Sequence, residues 1–134
     1  MDIKLTLLNA SNISYYNQTQ ITIDFETYIK GVVASEIGNA HIEACRAQAV
    51  AARTFAFNKI SNGKQLTDQS SKDQCFRASR ISNSYATALA AVDDTEGEVL
   101  YYNDKLISSC PYSHSNGGRV RSSKEVWGGD RPWL

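Results

Sequence analysis

DFETYIKGVVASE, residues 24–36, followed directly by IGNAHIEACRAQAVAARTF, residues 37–55, decides the fold. Asp24 stands where a helix N-cap belongs, with Thr27 at the third helical position in place of the preferred acid. Phe25, Tyr28, Ile29, Val32 and Val33 recur at helical spacing, and the same stripe carried on by three and four residues reaches Glu36. Gly38 and Asn39 then end the helix. A second helix is expected over residues 42–60, with Ala44, Ala47, Ala51 and Phe55 along one side and Val50 and Thr54 beside them. Its small side chains let another backbone approach closely, so it is expected to be the central helix of the domain.

Working outward, IKLTLL at 3–8 reads as a strand bounded by turn residues, and YYNQTQITI at 15–23 as a second strand that would close an early hairpin. Residues 61–74 are polar and read as an exposed excursion. A further helix is expected over 82–92. GEVLYYNDKLISSCPYS at 97–113 reads as strand, turn, strand, with Asn103 and Asp104 at the tip. A polar turn follows, ending in Gly117 and Gly118. The fold expected is α+β, a single domain spanning 1–134 with a central Ala-rich helix, a shorter helix carrying Glu36, and β-hairpins.

The chain has 134 residues, enough for one hydrophobic core. Fourteen basic residues balance fourteen acidic ones, so no broad cationic field marks it for nucleic acid. No stretch reaches the roughly 20 apolar residues that cross a bilayer, although an anchor in a longer gene product is compatible with this. Cys45, Cys75 and Cys110 are too few for a disulfide scaffold, and their odd number leaves at least one unpaired. Asn9, Asn12 and Asn17 match a glycosylation sequon, a short pattern that chance often supplies.

Glu36 is the first chemical candidate. A carboxyl group on an apolar helix face is disfavoured in its charged form, which suits a general acid; the plainer reading lets it reach solvent or pair with Arg53. Arg53 interrupts a small apolar run and could hold a sugar substituent or carboxylate, or form a structural ion pair, the simpler reading. Ser113, His114, Ser115, Asn116, Gly117 and Gly118 combine short polar donors with glycines that let backbone amides approach a ligand. Cys75, Cys110 and His114 form at most an incomplete zinc shell, with Glu36 as a fourth donor, and the spacing matches no short zinc signature. A Cys110–His114 nucleophile and base pair is a further arrangement. Cys45 reads as a small buried side chain. Tyr101, Tyr102, Tyr112, Trp127 and Trp133 could form a saccharide platform, with core packing the simpler role.

YIKGVVASE (28–36), EACRAQAVAARTFAF (43–57), DQSSKDQCF (68–76), GEVLYYNDKLISS (97–109), SHSNGGR (113–119) and EVWGGDRPWL (125–134) together resemble the SpoIID/LytB domain family over about residues 24–134. The resemblance implies bacterial cell-wall work. Sporulation members are lytic transglycosylases acting on peptidoglycan strands stripped of stem peptides, and their essential glutamate follows the GVV segment, at the position of Glu36. It implies peptidoglycan as partner, a cell-envelope or other extracytoplasmic location including the forespore engulfment zone, and 1,6-anhydromuramic products. The alternative is a non-catalytic cell-wall binding module, or an enhancer of an N-acetylmuramoyl-L-alanine amidase, with that amidase as partner. Some members bind zinc through histidine and cysteine near the glutamate. This chain has no histidine before Cys75 where one is expected, so no cofactor is preferred, with zinc as the alternative. Family domains generally continue beyond the WGG and PWL elements, so a missing C-terminal portion is expected.

Overall fold

The computed structural model describes residues 1–102 and 105–106. Strand β1 (Asp2–Thr6) leads into helix α1 (Ala10–Tyr16) and strand β2 (Gln20–Asp24). Two helices follow, α2 (Phe25–Glu36) and α3 (Ile42–Ser61). Strand β3 (Leu66–Thr67), 3-10 turns at Ala78–Arg80 and Asn83–Tyr85, and helix α4 (Ala86–Asp94) come next, before the short strands β4 (Tyr101–Tyr102) and β5 (Lys105–Leu106). The architecture is α+β, as the sequence implies.

The main sheet has the order β2-β1-β3. β1 and β2 pair antiparallel, with Ile3 opposite Ile23 and Leu5 opposite Ile21. Alternate residues of each strand face inward, and Ile3, Leu5, Ile21 and Ile23 are all buried. The expected early hairpin is corrected in one respect: the strands pair, but a helix joins them. Asn9 accepts from the amides of Ser11 and Asn12 at 3.0 and 3.2 Å, capping α1. Asn17 ends it in the left-handed region at φ 55°. A local Asn cap at each end thus overrides the strand propensity of Tyr15 and Tyr16.

The expected exposed excursion is corrected as well. β3 pairs parallel with β1, Leu5 opposite Leu66. Leu66, Asp68, Gln74 and Phe76 are buried. The segment is polar because its polar groups have protein partners: Asp73 accepts from the Thr67 amide and hydroxyl, both at 2.8 Å, and pairs with Lys59. Hydrogen-bonded polar side chains can be buried at little net cost, and composition alone does not reveal that pairing.

α2, α3 and α4 pack on one another, with α2 also against β2 and α3 against β3, around a core that includes Tyr28, Ile29, Val32, Val33, Ala49, Ala52, Ala56 and Val92. On α3 the most buried line runs through Cys45, Ala49, Ala52 and Ala56, while Ala44 is exposed. This is offset from the expected alanine stripe, because alanines on every side of a helix carry little directional signal. Cys45 is buried as read, and burial pushes its thiol pKa up. β4 and β5 pair antiparallel, with Tyr101 opposite Leu106; the expected tip, Asn103 and Asp104, lies outside the described residues. No helix among the described residues is long and apolar enough to cross a membrane.

Candidate functional site

Glu36 is the last residue of α2. The Ile37 amide donates to the Val33 carbonyl at 3.0 Å, and Gly38 follows at φ 66°, a conformation that favours glycine. The helix therefore stops with Glu36 half-buried at its end. Its Oε2 accepts from the Cys75 amide at 2.9 Å, and one residue earlier the Ser35 hydroxyl accepts from the Arg77 amide at 3.0 Å. The last turn of α2 is thereby laced to the segment 74–78. No other hydrogen bond to the Glu36 carboxylate is present among the described residues.

That segment alternates. Gln74, Phe76 and Ala78 are buried, while Cys75 and Arg77 lie half-buried on the other side. Phe76 stacks on Tyr28 with centroids 5.5 Å apart and an interplanar angle of 23°. Asn12, only 1% exposed, donates through Nδ2 to the Phe76 carbonyl at 2.7 Å and to Asp68 at 2.8 Å, and accepts from the Ala78 amide at 2.9 Å. Both ends of the Asn12 amide are consumed in the core, so this sequon has no nitrogen available for a glycan. Asp68 also accepts from the amides of Leu8 and Asn9, at 2.9 and 3.1 Å.

Cys75 and Arg77 line a polar groove of about 310 Å3 together with Asn9, Gln69, Ser70 and Ser71. Burial pushes the Cys75 thiol pKa up, with Glu36 adding to the rise, whereas Arg77 and Arg80 pull it down. The thiol thus sits in the field of one carboxylate and two guanidinium groups. A carboxylate anchored by one oxygen to a backbone amide is held in orientation and can accept from, or give a proton to, a group placed at its other oxygen.

Arg53 lies elsewhere. It is 1% exposed, and its guanidinium bonds Glu26 twice, at 2.8 and 3.0 Å, the Glu98 carbonyl at 3.0 Å and the Val92 carbonyl at 3.3 Å. This is the geometry of the structural ion pair, with the donors turned inward. Ser113, His114, Ser115, Asn116, Gly117, Gly118 and Cys110 lie outside the described residues, as do Tyr112, Trp127 and Trp133.

For zinc, the described donor set is short. Glu36 and Cys75 adjoin, but His41 is occupied as the N-cap of α3, accepting from the Glu43 amide at 3.2 Å. Among the described residues no group of three or more metal-ligating side chains comes together. Cys110 and His114, the other candidate ligands, lie outside the described residues.

Sequence reasoning missed Asn12, Ser35, Asp68 and Arg77. For Arg77 a signal exists: QCFRA, 74–78, alternates like a strand, which puts Cys75 and Arg77 on one side. For Asn12 and Asp68 nothing local distinguishes a buried polar hub from a turn residue.

The family model described as "Stage II sporulation protein" matches residues 15–102, a span that includes Glu36, Cys75 and Arg77. A protein named "Amidase enhancer" from Bacillus subtilis (strain 168) is 38% identical over 107 residues, 79% of this chain and 14% of that protein. "Stage II sporulation protein D" of the same strain is 33% identical over 135 residues, covering 88% of this chain and 39% of the relative. The protein of that name from Bacillus amyloliquefaciens is 31% identical over 149 residues, 98% of this chain and 42% of the relative. The chain belongs to the SpoIID family of stage II sporulation proteins, which also takes in the amidase enhancer. It spans less than half the length of these curated relatives.

Proposed function

We propose that this domain binds the glycan strands of peptidoglycan in the cell envelope and enhances the action of a cell-wall amidase. The observation that carries this reading is the 38% identity to the amidase enhancer over 79% of the chain. The groove beside Glu36 suits such a ligand: its serines, Asn9 and Gln69 offer short hydrogen-bonding groups of both kinds, as a strand of hydroxyls and acetamides requires.

A second reading is favoured by one specific feature, the Glu36 carboxylate with Oε2 on the Cys75 amide. Under it the domain is a lytic transglycosylase. Glu36 protonates the oxygen between N-acetylmuramic acid and N-acetylglucosamine, and the bond to the anomeric carbon breaks. The muramic 6-hydroxyl then closes on that carbon and returns its proton to Glu36, leaving a 1,6-anhydro end. One carboxyl group serves as acid and then base, unlike the paired carboxylates of ordinary glycosidases.

One experiment separates the two. The chain and Glu36→Gln are incubated with intact and with denuded peptidoglycan, with and without an N-acetylmuramoyl-L-alanine amidase, and the products are read by mass spectrometry. The enhancer reading expects released stem peptide to rise only when amidase is present, in both proteins. Anhydromuramic ends from the parent without amidase, absent with Glu36→Gln, replace it with the transglycosylase reading.

A further inference from the structure

Strand β2 lies at the edge of the main sheet, with β1 as its neighbour. The ladder fixes where its backbone groups point. The Leu7 amide donates to the Thr19 carbonyl and the Phe25 amide to the Met1 carbonyl, both at 2.8 Å, so Ile3 with Ile23 and Leu5 with Ile21, the pairs of the same parity, are the hydrogen-bonded ones. The pairs between them, Lys4 with Thr22 and Thr6 with Gln20, turn their amides and carbonyls away from each other. On the β1 side such groups meet β3, where the Thr6 carbonyl accepts from the Asp68 amide at 3.2 Å. On the β2 side the amides and carbonyls of Gln20 and Thr22 meet no partner among the described residues. Gln20, Thr22 and Asp24 are exposed, while Ile21 and Ile23 are buried. Folded proteins commonly guard such an edge with lysine, proline or a bulge. The groove between β1 and the approach to β3 carries Lys4 and Lys64. QITID, residues 20–24, has no lysine and no proline, and it pairs with β1 without a bulge.

We propose that β2 pairs antiparallel with β2 of a second copy of this chain, about a two-fold axis at Thr22, joining the two sheets into one. A two-fold contact has to be self-complementary, because each residue meets its symmetry-related counterpart. QITID satisfies that condition: Thr22 falls opposite Thr22, Ile21 opposite Ile23, and Gln20 opposite Asp24. Thr22 turns both of its backbone groups outward, so the central pair is of the hydrogen-bonded kind and the copies exchange amide and carbonyl there. Threonine facing threonine and a carboxamide facing a carboxylate are favourable cross-strand neighbours. Asp24 keeps acceptor capacity for the second copy: Oδ2 takes the Thr27 amide and hydroxyl, and Oδ1 lies 3.7 Å from the Met1 amino group. Ile21 and Ile23 continue the buried face across the joint. A strand from a different protein would need no such symmetry, and a formal net charge of zero sets no long-range repulsion between copies. One short strand per copy buries less than a standard interface, so the dimer forms in a concentration-dependent way. Pairing consumes the β2 edge of each copy, and assembly closes at the dimer.

Sedimentation velocity of the whole chain across about a hundredfold range of concentration tests this. The parent is expected to pass from monomer to dimer within that range and to go no further. Thr22→Lys and Thr22→Glu each set two like charges face to face on the axis, and each is expected to weaken the dimer about tenfold. Because Thr22 is exposed, both variants should keep the parent's circular dichroism spectrum. Mixed in equal amounts they face lysine with glutamate, and association is expected to return to the parent's level. A parent that stays monomeric throughout overturns the proposal and leaves the edge to an extended segment of a different protein. A dimer that both variants form as tightly as the parent overturns the assignment to β2. Folded variants that fail to dimerise alone and fail again when mixed overturn the axis at Thr22.

Discussion

Arg53 and Glu26 form a two-pronged ion pair between α3 and the first turn of α2, Nε to Oε2 at 3.0 Å and Nη2 to Oε1 at 2.8 Å. The two sides differ in solvent: the Arg53 side chain is 1% exposed and that of Glu26 24%. Removing the acid leaves a desolvated cation, whereas removing the cation leaves an acid that water can still reach. Glu26→Ala is therefore expected to destabilise the domain by about 4 kcal/mol, and Arg53→Met by a comparable amount, because it also strips the buried Glu98 and Val92 carbonyls of a donor. The double variant should lose less than the sum of the two. Urea unfolding of all four proteins measures this, and additive losses would show that the pair has no coupling.

Gly31 faces the Phe76 ring across the contact between α2 and the segment 74–78. A Cβ added at Gly31 would overlap Cε1 and Cδ1 of Phe76, whose ring is fully buried and stacked on Tyr28. Gly31→Ala should improve local helix propensity by about 1 kcal/mol yet destabilise the protein by about 2 kcal/mol net, through overpacking. Because Phe76 lies between Cys75 and Arg77, the same change should weaken glycan binding. Stability and binding measured together test this; a more stable Gly31→Ala protein would show that the ring yields freely.

Much of this frame is legible in the residues. The Asp24 cap, the α2 stripe and its end at Gly38 follow from local chemistry, and each lies where its spacing puts it. The site is less legible. Glu36 can be named from the stripe, but its partner is the backbone of Cys75, 39 residues away, and a backbone amide leaves no mark in a sequence. Arg53 is ambiguous for the opposite reason: a guanidinium in an apolar run fits a ligand site and a buried pair equally well until Glu26 is seen beside it. Asn12 and Asp68 look like turn residues because long-range hydrogen bonds, 56 residues apart, have no periodicity.

Asp24 gives the stability a pH dependence of known sign. Its side chain accepts from the Thr27 amide at 3.2 Å, and chiefly that bond lowers its pKa below 3.8. A folded pKa below the unfolded value means stabilisation that is present in full at neutral pH and lost as pH falls through the folded pKa. Asparagine caps comparably but carries no charge to interact with the helix dipole. Asp24→Asn should thus be less stable than the parent by about 0.5 kcal/mol at pH 7, the exposed setting keeping the value small. The gap should close below pH 3.8, where the parent's carboxylate protonates. Thermal melts of both proteins from pH 7 to pH 2.5 measure the gap directly, and a constant difference across that range would rule out the cap carboxylate as its source.

Asn12 is the hub from which the groove is hung. Its side chain ties the Phe76 carbonyl, the Ala78 amide and Asp68 into one buried set, with three bonds of 2.7 to 2.9 Å. Truncation to alanine leaves the Ala78 amide and the Phe76 carbonyl without that partner in a place water does not reach. Each buried group stripped of its bond costs about 1–3 kcal/mol, so Asn12→Ala should lose about 3 kcal/mol of stability. Asn12→Asp should be no milder, because the new carboxylate would face Asp68 at the position where Nδ2 now donates, and two adjoining acids cannot both stay charged cheaply. Hydrogen exchange reports the local consequence: the Ala78 amide should exchange faster in Asn12→Ala than global destabilisation alone explains. The Cys75 and Arg77 amides, which anchor the segment to α2, should follow it. Equal acceleration of every core amide would instead mean that Asn12 contributes only to overall stability, and that the bonds to Glu36 and Ser35 hold the groove wall without it.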